Sequence, residues 1–458
     1  MTQPPRIAVI GAGISGLAAA HSLRDTAHVT LFEASDYFGG HAHTATIKLP
    51  RSATDATRVA HGVDTGFLVY NDRTYPNLIR LFSELGVDTA LSEMSFSVQA
   101  TRDDGGGPLE WSGNNLGTVF AQRRNLLDGR FLGMLRDLLR FNRLTTRIAQ
   151  AGTEGELAQP LGEFLDAHRF GAAFRDWYFL PMMGCIWSCS TTQMLAFPVA
   201  TMIRFCHNHG LIQIANRPQW RTVRGGSRHY VEKIVAGLAD KRLNTPVRRI
   251  VRTADGSGGV HVSTDSGGTE HFDHVVLATH SDQSLAMLGD ASPAEAAVLG
   301  AIRYQANHAV LHTDATVLPQ RRSAWAAWNY ERAAAGERES GRVCLHYLLN
   351  KLQPLPWEQP VVVSLNPVRE IQRSQVMAEY DYDHPVLDLA AIRAQAEVPA
   401  LQGQRNTWFA GAWMGYGFHE DGLKAGLAVA QGLRTRIARQ DAGIDGIDAI
   451  DAMARALV

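Results

Sequence analysis

The stretch Arg6-Ile-Ala-Val-Ile10-Gly11-Ala-Gly-Ile-Ser-Gly16 decides the fold of this 458-residue chain. Its first half is a mostly apolar run, as expected of a central parallel strand. Working outward, Leu17–Leu23 has a helical pattern, Val29–Phe32 is the next strand, and Glu33 ends that strand. This order of strand, GxGxxG, helix, strand and acid predicts a dinucleotide-binding βαβ unit in an α/β fold.

Each part of this unit has a physical task. Gly11 permits a tight turn, Gly13 lets the backbone approach a pyrophosphate, and Gly16 lets the helix lie close to the strand. The helix N-terminus supplies amide donors, and Glu33 is placed to accept hydrogen bonds from a ribose diol. The candidate nucleotide contacts in this unit are Gly11, Ala12, Gly13, Ile14, Ser15, Gly16, Glu33 and Ala34.

Three features favour FAD over NAD as the dinucleotide. The site opens the chain, Gly39-Gly40-His41 extends it, and a distant segment completes it. In that segment Trp408–Gly411 is typical of a short buried strand, and Gly415–Gly422 leads into a helix over 423–437. The N-terminus of this helix is suited to direct amides at flavin N1 and the C2 carbonyl. The alternative is an ordinary glycine-rich loop followed by a helix capped by Asp421.

Composition excludes several classes of protein. The chain has 44 Lys plus Arg against 45 Asp plus Glu, so its net charge of −1 gives no case for nucleic acid as a partner. The four cysteines contain no CxxC pair, and no second GxGxxG follows a later strand, which argues against a disulfide reductase. The histidine pairs 41/43 and 207/209 have no third ligand at an established spacing, so no metal is expected. A cytoplasmic protein is expected because no signal-peptide pattern is visible, and the most apolar stretch, Tyr178–Trp187, is too short to span a bilayer.

The pattern of elements predicts a discontinuous Rossmann-like FAD-binding domain and an α+β substrate domain with a helical lobe. Helical spacing dominates from 116 to 220, and aromatic and β-branched strands from 302 to 367 are suited to a substrate-domain floor. The expected division is 1–92, 221–300 and 400–440 for FAD, 93–220 and 301–399 for substrate, and 441–458 as a C-terminal tail.

Longer stretches carry a resemblance over nearly the whole chain. They are Gly39-Gly-His-Ala-His-Thr44, Tyr75-Pro-Asn77, Met94-Ser-Phe-Ser97, Ile186-Trp-Ser-Cys189, Arg217-Pro-Gln-Trp220, Ser227-Arg-His-Tyr230, Ala324-Trp-Ala-Ala-Trp-Asn329 and Gly415–Gly422. The layout is similar to the flavin amine oxidase and phytoene desaturase superfamily. More closely, the chain resembles bacterial FAD-binding oxidoreductases that are similar to the N-terminal domain of plant cyclopropane fatty acid synthases. Because related members are linked to fatty-acid modification, the resemblance implies a fatty-acyl or phospholipid-linked substrate and a glutathione-reductase/amine-oxidase type of FAD domain.

The resemblance also implies positions for the cofactor. Val247, Ala278 and Thr279 would lie near the adenosine half, and Gly39, Gly40 and His41 would lie by the pyrophosphate and the ring. The loop with Thr65 and Gly66 would be on the flavin side. The ribityl chain and flavin would be flanked by Gly411, His419, Asp421, Gly422 and Leu423. The FAD is expected to be non-covalent, because the loop Trp413–His419, where some relatives carry a flavin-linked cysteine, contains none.

Flavin chemistry on a substrate also requires proton handling, and four residues are candidates for catalysis. His419 and Glu420 are the polar groups nearest the expected ring, although a loop hydrogen bond and pairing with the helix dipole explain them equally well. Tyr330 and Tyr347 lie on the expected substrate-domain strands, where a structural role is the alternative. Many amine oxidases place a lysine near flavin N5, but the corresponding region, Arg303–His312, has no lysine.

The segment 123–147 combines arginines with leucines at helical spacing. It is typical of a basic amphipathic helix that rests on anionic lipid, with an ordinary surface helix as the alternative. A protein at the inner face of the membrane would then be peripheral.

The expected function is an FAD-dependent oxidoreductase that desaturates or otherwise modifies a methylated or cyclopropanated acyl chain. Double-bond isomerisation is the nearest alternative. A flavin amine oxidase acting on a small amine, and a non-catalytic FAD-binding partner of a lipid methyltransferase, remain the rivals from other classes.

Overall fold

The fold is built on a five-stranded parallel sheet. The computed structural model describes residues 3–102, 107–153, 157, 159–211, 217–253, 258–332 and 343–441. The strand order is β10 (Asp240–Arg242), β2 (His28–Phe32), β1 (Arg6–Ile10), β14 (His274–Leu277) and β20 (Thr407–Phe409). The central strands are almost wholly buried, as their apolar sequences predict. The strands come from distant parts of the chain, and helices cover the sheet, which confirms the α/β prediction.

The other described strands form four further sheets, of which the largest is mixed because β16 and β7 pair in parallel. The largest has seven strands in the order β19 (Val376–Val386), β15 (Arg303–His312), β18 (Val362–Leu365), β17 (Cys344–Leu348), β16 (Trp328–Glu331), β7 (Phe96–Thr101) and β8 (Pro108–Ser112). The others are β11 (Val247–Arg252), β12 (Val260–Thr264) and β13 (Thr269–Phe272); β3 (Thr44–Pro50) and β4 (Arg58–Asp64); and β5 (Tyr70–Asn71), β9 (Trp220–Val223) and β6 (Thr89–Leu91). The β11–β12 pair confirms the predicted hairpin.

The described α-helices are α1 (Ile14–Leu23), α2 (Pro76–Leu85), α3 (Leu116–Val119), α4 (Gly129–Ala151), α5 (Leu161–Ala167), α6 (Ala172–Phe174), α7 (Leu180–Trp187), α8 (Thr191–Leu195), α9 (Val199–Asn208), α10 (Arg228–Ala236), α11 (Ser281–Met287), α12 (Pro293–Gly300), α13 (Leu349–Leu352), α14 (Leu389–Leu401) and α15 (His419–Asp441). A π-helical turn, Arg175–Phe179, joins α6 to α7. Short 3₁₀ turns cover Arg123–Leu127, Ala315–Val317, Arg322–Ala324, Arg373–Gln375, Gln404–Asn406 and Ala412–Met414. In the described part of the chain, no helix has the length and apolar character needed to cross a bilayer.

Two helix boundaries differ from the sequence-based expectation. α15 begins at His419 rather than Leu423, because the Asp421 carboxylate accepts the N–H groups of Tyr416 and Phe418 and ties the preceding loop to the first helical turn. The segment predicted as one amphipathic helix is broken at Asp128. This residue caps α4 by accepting the N–H groups of Arg130 and Phe131.

The core lies in layers that position the site. α4 to α9 form a lobe whose apolar side chains share one cluster with the seven-stranded sheet. α1 and α15 approach closely because α15 presents glycines to α1. A Cβ on Gly426 would lie only 2.2 Å from the Ser15 carbonyl oxygen. α14, placed by the sequence in the substrate domain, shares a core cluster with Val275 and Phe409 of the parallel sheet. The domain boundaries themselves stay a prediction, and 442–458 lies outside the described residues.

Candidate active site

One continuous cavity of about 980 Å³ runs from the carboxyl edge of the parallel sheet to the seven-stranded sheet. Ligands of open α/β sheets bind at this edge, outside the carboxyl ends of the strands. The exposed lining residues lie in two groups. Ala34, Ser35, Arg248, Gln283, Ala286 and Asp383 belong to the nucleotide end, and Gly113, Asn114, Arg217 and Gln219 form a second opening, which we call the substrate mouth.

At the nucleotide end, the glycine turn has the geometry that its sequence predicts. Gly11 has φ +96°, and a Cβ there would lie 2.7 Å from the Ala278 carbonyl oxygen. Gly13 is the N-cap of α1, with no side-chain cap and no protein atom within 4 Å of an added Cβ. Open space therefore lies in front of the α1 amide groups, where an anion is favoured by the helix dipole.

The Glu33 carboxylate is held in a fixed orientation at the end of β2. Its two oxygens accept hydrogen bonds from the N–H of Ala12 at 2.8 Å and the N–H of Ser35 at 2.9 Å. Glu33 lines the cavity, so its remaining lone pairs are available to a ribose diol.

Most residues predicted to bind the cofactor line this cavity. They are Gly11, Ala12, Gly13, Ile14, Ser15, Glu33, Ala34, Gly39, Gly40, His41, Thr65, Gly66, Val247, Ala278, Thr279, Gly411 and His419.

Four predicted contacts do not line the cavity, and each has a packing reason. A Cβ on Gly16 would meet the Gly11 carbonyl oxygen at 1.9 Å, and one on Gly422 would meet Ile14, so these glycines bring α1 against β1 and α15. Asp421 is engaged with the loop before α15, and Leu423 is buried in the core between α1 and α15.

A group of histidines that the sequence only partly revealed lies beside the glycine turn. The ring centroid of His41 is 5.4 Å from that of His384 and 6.5 Å from that of His280. Burial, followed by the neighbouring histidines, lowers the pKa of His41 well below its usual range, and burial lowers the pKa of His384 to about 4. These rings are therefore neutral at pH 7. His41 Nε2 is buried without a hydrogen-bond partner among the described residues, although it belongs to a side chain that lines the cavity.

The sequence pattern did not reveal His384 and its neighbour Tyr382, because the predicted substrate-domain strands end at residue 367. They lie on β19, where alternate residues from Tyr380 to His384 face one side. His384 Nδ1 lies 3.0 Å from Asn307 Nδ2, and Tyr382 Oη lies 2.7 Å from Thr65 Oγ1. Period-two alternation of aromatic residues was the signal that could have found them.

His419 is a neutral, rigidly held ring at the start of α15. It stacks on Phe67 with centroids 3.8 Å apart, and its Nε2 lies 2.7 Å from Tyr230 Oη. Burial lowers the pKa of His419 to about 3 and raises that of Tyr230 well above its usual range. A base this weak suits a positioning role through neutral hydrogen bonds better than proton abstraction at pH 7.

Glu420 points away from the cavity. Its carboxylate accepts three hydrogen bonds at the start of α2, from the Asn77 N–H, the Asn77 side-chain amide and the Leu78 N–H. This geometry gives Glu420 the task of joining α15 to α2, stabilised by the helix dipole, rather than proton handling.

The two candidate tyrosines, Tyr330 and Tyr347, lie in different environments. Tyr347 lines the cavity, and burial raises the pKa of its hydroxyl well above the usual range. Tyr330 is not among the lining residues; it is buried in the core shared by the sheet and the helical lobe. Only Tyr347 is therefore in a position to meet a ligand.

Beyond the nucleotide end, the cavity becomes an apolar chamber between the seven-stranded sheet and the helical lobe. Its walls include Trp111, Tyr178, Met182, Ile186, Trp328, Tyr347, Val363 and Leu365. None of the described lining residues is a lysine, and the only acids among them are Glu33 and Asp383. The chamber thus favours an uncharged, extended apolar ligand.

A cluster of three potential metal ligands was not predicted from sequence spacing, because its members lie on two different strands. Glu331 is the cross-strand partner of Cys344, and His346 follows two residues later on the same face of β17. The His346 Nε2 to Glu331 Oε2 distance of 3.0 Å is that of an ion pair, which accounts for the group without a metal.

The nucleotide end fits FAD on its own geometry. The open α1 N-terminus suits the pyrophosphate, the fixed Glu33 carboxylate suits the ribose, and the unpartnered His41 Nε2 provides a polar contact farther along. The nucleotide end and the apolar chamber belong to the same cavity, and the stacked rings of His419 and Phe67 are among its lining residues.

Solved structures of other proteins share this fold. The solved fatty acid isomerase from P. acnes described as CLA-producing has a TM-score of 0.64 at 18% identity, covering 95% of this chain and 99% of that one. Cyclohexylamine oxidase from Brevibacterium oxydans IH-35A has a TM-score of 0.64 at 16% identity, covering 95% and 100%. These likenesses show the fold.

Sequence comparison adds the family. "Putative flavin-containing monoamine oxidase AofH" of Mycobacterium tuberculosis is 27% identical over 286 residues, which are 59% of this chain and 56% of that relative. The match thus spans little more than half of that relative's length. The family model described as flavin containing amine oxidoreductase matches residues 14–310, well over half of the chain. The chain therefore belongs to the family of flavin-containing amine oxidoreductases.

Proposed function

We propose that this enzyme oxidises or isomerises a fatty-acyl chain, free or linked to a phospholipid, with desaturation beside a methyl or cyclopropane branch as the favoured reaction. The apolar chamber that continues from the flavin end of the cavity carries this proposal. Its tryptophan, tyrosine and aliphatic walls offer contact along a chain and no charged partner at depth.

The residues of the chain bind and orient rather than react. When bound, FAD supplies a hydride acceptor at N5. Glu33 and the α1 amides would hold the ribose and pyrophosphate, while Trp328 and Tyr347, which pack edge to face at 5.2 Å, would hold the substrate chain. His419 and Tyr230 would fix the ring edge by a neutral hydrogen bond, and the packed aromatic walls exclude water.

Two further features support a lipid over an amine. The N5-side lysine of many amine oxidases has no counterpart on β15, where Asn307 lies against His384 instead. The stretches that resemble the FAD-binding domain linked to cyclopropane fatty acid synthases, such as Ile186–Cys189 and Arg217–Trp220, contribute to the chamber wall. This resemblance also suggests a lipid methyltransferase as a functional partner.

Lipid mass spectrometry of cells with and without the gene tests the substrate class. We expect the deletion to accumulate a saturated or unisomerised branched acyl chain, and wild-type protein to restore the product. Complementation with Gly13→Asp, which blocks the pyrophosphate position, should fail. If that variant loses FAD but restores the profile, the protein acts as a non-catalytic partner; an unchanged profile would remove the lipid proposal.

Amine oxidation is the second candidate, favoured by the name of the mycobacterial relative. Purified holoenzyme should release hydrogen peroxide with small aliphatic or aromatic amines if this candidate is right. No peroxide with amines, together with flavin reduction or product formation with an acyl lipid, would settle the choice for lipid.

A further inference from the structure

We infer that the outer face of α4 and the turn before it dock on an anionic membrane surface, which places the substrate mouth beside the bilayer. This inference deepens the proposed function and rests on it for its purpose, although docking is measured without turnover. We call the surface formed by the exposed side chains of residues 116–147 the Leu/Arg face.

Exposed leucines concentrate on the Leu/Arg face. In the described part of the chain, seven large hydrophobic side chains are exposed, and five of them lie between residues 116 and 139. They are Leu116, Leu126, Leu127, Leu132 and Leu139, with Leu127 92% exposed. Such clustering marks an interaction surface, since single exposed apolar residues are otherwise scattered.

The charges of the same face are all positive at the surface. Residues 116–147 contain seven arginines and two aspartates, in a chain of net charge −1. Asp128 pairs with Arg102, and Asp137 is buried, where it accepts the Gly171 N–H. Asp137 also lies within ion-pair distance of Arg136, at 3.8 Å, and of Arg140, at 3.6 Å. The remaining positive charge toward an outside partner comes from the exposed Arg123, Arg124, Arg143 and Arg147, which pair with no acid among the described residues.

Leucines and arginines alternate along one stripe of α4. Leu132, Arg136, Leu139, Arg143 and Arg147 follow one another at spacings of four, three, four and four residues, and all are exposed. This spacing keeps them on one side of a helix. A basic helix with a leucine stripe lies in the interface of a bilayer, its leucines in the acyl boundary and its arginines at the phosphates.

The inner face of the same helix contacts the wall of the chamber. Phe131 of α4 packs on Trp111 with ring centroids 6.0 Å apart, and Trp111 lines the cavity. The substrate mouth residues Gly113 and Asn114 lead directly into α3, which begins with the exposed Leu116. The Leu/Arg face and the opening thus lie next to each other.

A surface depression beside this face is suited to a lipid headgroup. It has a volume of about 480 Å³ and is lined by Arg123, Arg124 and Arg321, among others. Arg321 pairs with Glu110 at 3.0 Å and Arg124 donates to the Pro108 carbonyl oxygen, so these two guanidinium groups are held in place with only part of their donors free. Arginine forks match phosphate oxygens. We therefore commit to an anionic phospholipid surface, rather than a protein, as the occupant.

Vesicle co-sedimentation of the purified holoenzyme tests the inference. We expect binding to phosphatidylcholine vesicles that contain phosphatidylglycerol, and little binding to phosphatidylcholine alone. Leu127→Asp, and separately the triple change Arg136→Gln, Arg143→Gln and Arg147→Gln, should each weaken binding about tenfold or more. Matched controls are Ile79→Asp on α2 and the triple change Arg58→Gln, Arg373→Gln and Arg393→Gln, which remove the same groups elsewhere and should leave binding unchanged. Flavin content and circular dichroism confirm that each variant is folded.

Three results would overturn the docking. Wild-type protein that stays in the supernatant would do so, as would equal loss in both arginine triples, because net charge alone would then explain binding. Self-association that Leu127→Asp abolishes, without vesicle binding by the wild type, would assign the face to a second copy of the chain.

Failure of the docking and failure of the proposed function are distinguishable. Vesicle binding with an unchanged cellular lipid profile leaves the docking and removes the acyl-chain proposal. Activity on detergent-dispersed lipid without vesicle binding leaves the acyl-chain proposal and removes the docking.

Discussion

Gly11 and Gly13 lie two residues apart, yet a side chain would meet different neighbours at each. At Gly11 it would meet the backbone of Ala278, just after β14, whereas at Gly13 it would enter the open space of the nucleotide end. Substitutions at these positions therefore separate folding from cofactor binding.

We expect Gly13→Asp to fold normally and to lose FAD, because the new carboxylate occupies the place of the pyrophosphate and repels it. Gly11→Ala should lose both stability and FAD, because its Cβ meets the Ala278 carbonyl oxygen and its φ is positive. Visible flavin absorbance and thermal unfolding measure the two effects. Full flavin content in Gly13→Asp would contradict the assigned pyrophosphate position.

His419 is the second residue whose environment makes a definite prediction. Because its pKa is lowered to about 3, the ring is neutral throughout pH 5–9. We expect His419→Asn to lower kcat roughly tenfold, the effect of one lost hydrogen bond. The shape of the pH profile should not change. Disappearance of a limb between pH 5 and pH 9 would instead identify His419 as the proton acceptor.

At the scale of elements, α15 and α4 show opposite uses of helical glycine. Gly426 brings α15 against α1, where a Cβ would lie 2.2 Å from the Ser15 carbonyl oxygen, whereas Gly133 in α4 has nothing within 4 Å of an added Cβ. We expect Gly426→Ala to lower the free energy of unfolding by about 1–3 kcal/mol, as overpacking does. Gly133→Ala should stabilise it by about 0.5–1 kcal/mol. Denaturant unfolding of both variants tests this pair, and equal effects would contradict the close contact of α1 and α15.

The ion pair between β16 and β17 predicts a pH dependence. Burial lowers the pKa of His346, but Cys344 and Glu331 outweigh that effect and raise it to about 9 from an ordinary 6.5. The folded state therefore binds a proton more tightly than the unfolded state. The resulting stability, on the order of 3 kcal/mol, is fully present below pH 6.5 and is lost as pH rises through about 9.

Glu331→Gln should reduce this loss between pH 7 and pH 9.5 but not abolish it, because Cys344 also raises the pKa of His346; the free energy of unfolding measures the change. His308→Gln is the control, because His308 forms its ion pairs at the surface of the same sheet and should leave the slope unchanged. A slope that is unchanged in Glu331→Gln would mean that the Glu331 carboxylate does not contribute to the titration.

At the scale of the whole molecule, the nucleotide end joins segments from both ends of the chain. Gly13, Thr279 and Gly411 follow β-strands that are far apart in sequence, and FAD bound in this cavity would bridge them. We expect removal of FAD to lower the melting temperature and added FAD to restore it, since a ligand of the native state stabilises that state. Thermal shifts at several FAD concentrations measure this, and Gly13→Asp should not respond.

The sequence predicted the parallel sheet because its strands carry local signals: apolar runs ending in glycine, acid or threonine. Most of the predicted cofactor contacts line the cavity, since they lie directly after strand ends, and their contact with FAD stays a prediction. The sequence could not distinguish the role of Glu420, whose partners at Asn77 and Leu78 are distant in sequence. For the same reason, the grouping of His41, His280 and His384 came only from the pairing of distant elements.

The cavity with two ends has a kinetic consequence. FAD would fill the nucleotide end, so substrate, product and any electron acceptor would share the substrate mouth formed by Gly113, Asn114, Arg217 and Gln219. An acceptor as large as a quinone would then have to wait until the product has left. Oxidative turnover would follow a ping-pong order, with parallel lines in double-reciprocal plots, whereas an internal isomerisation would show no dependence on the acceptor at all.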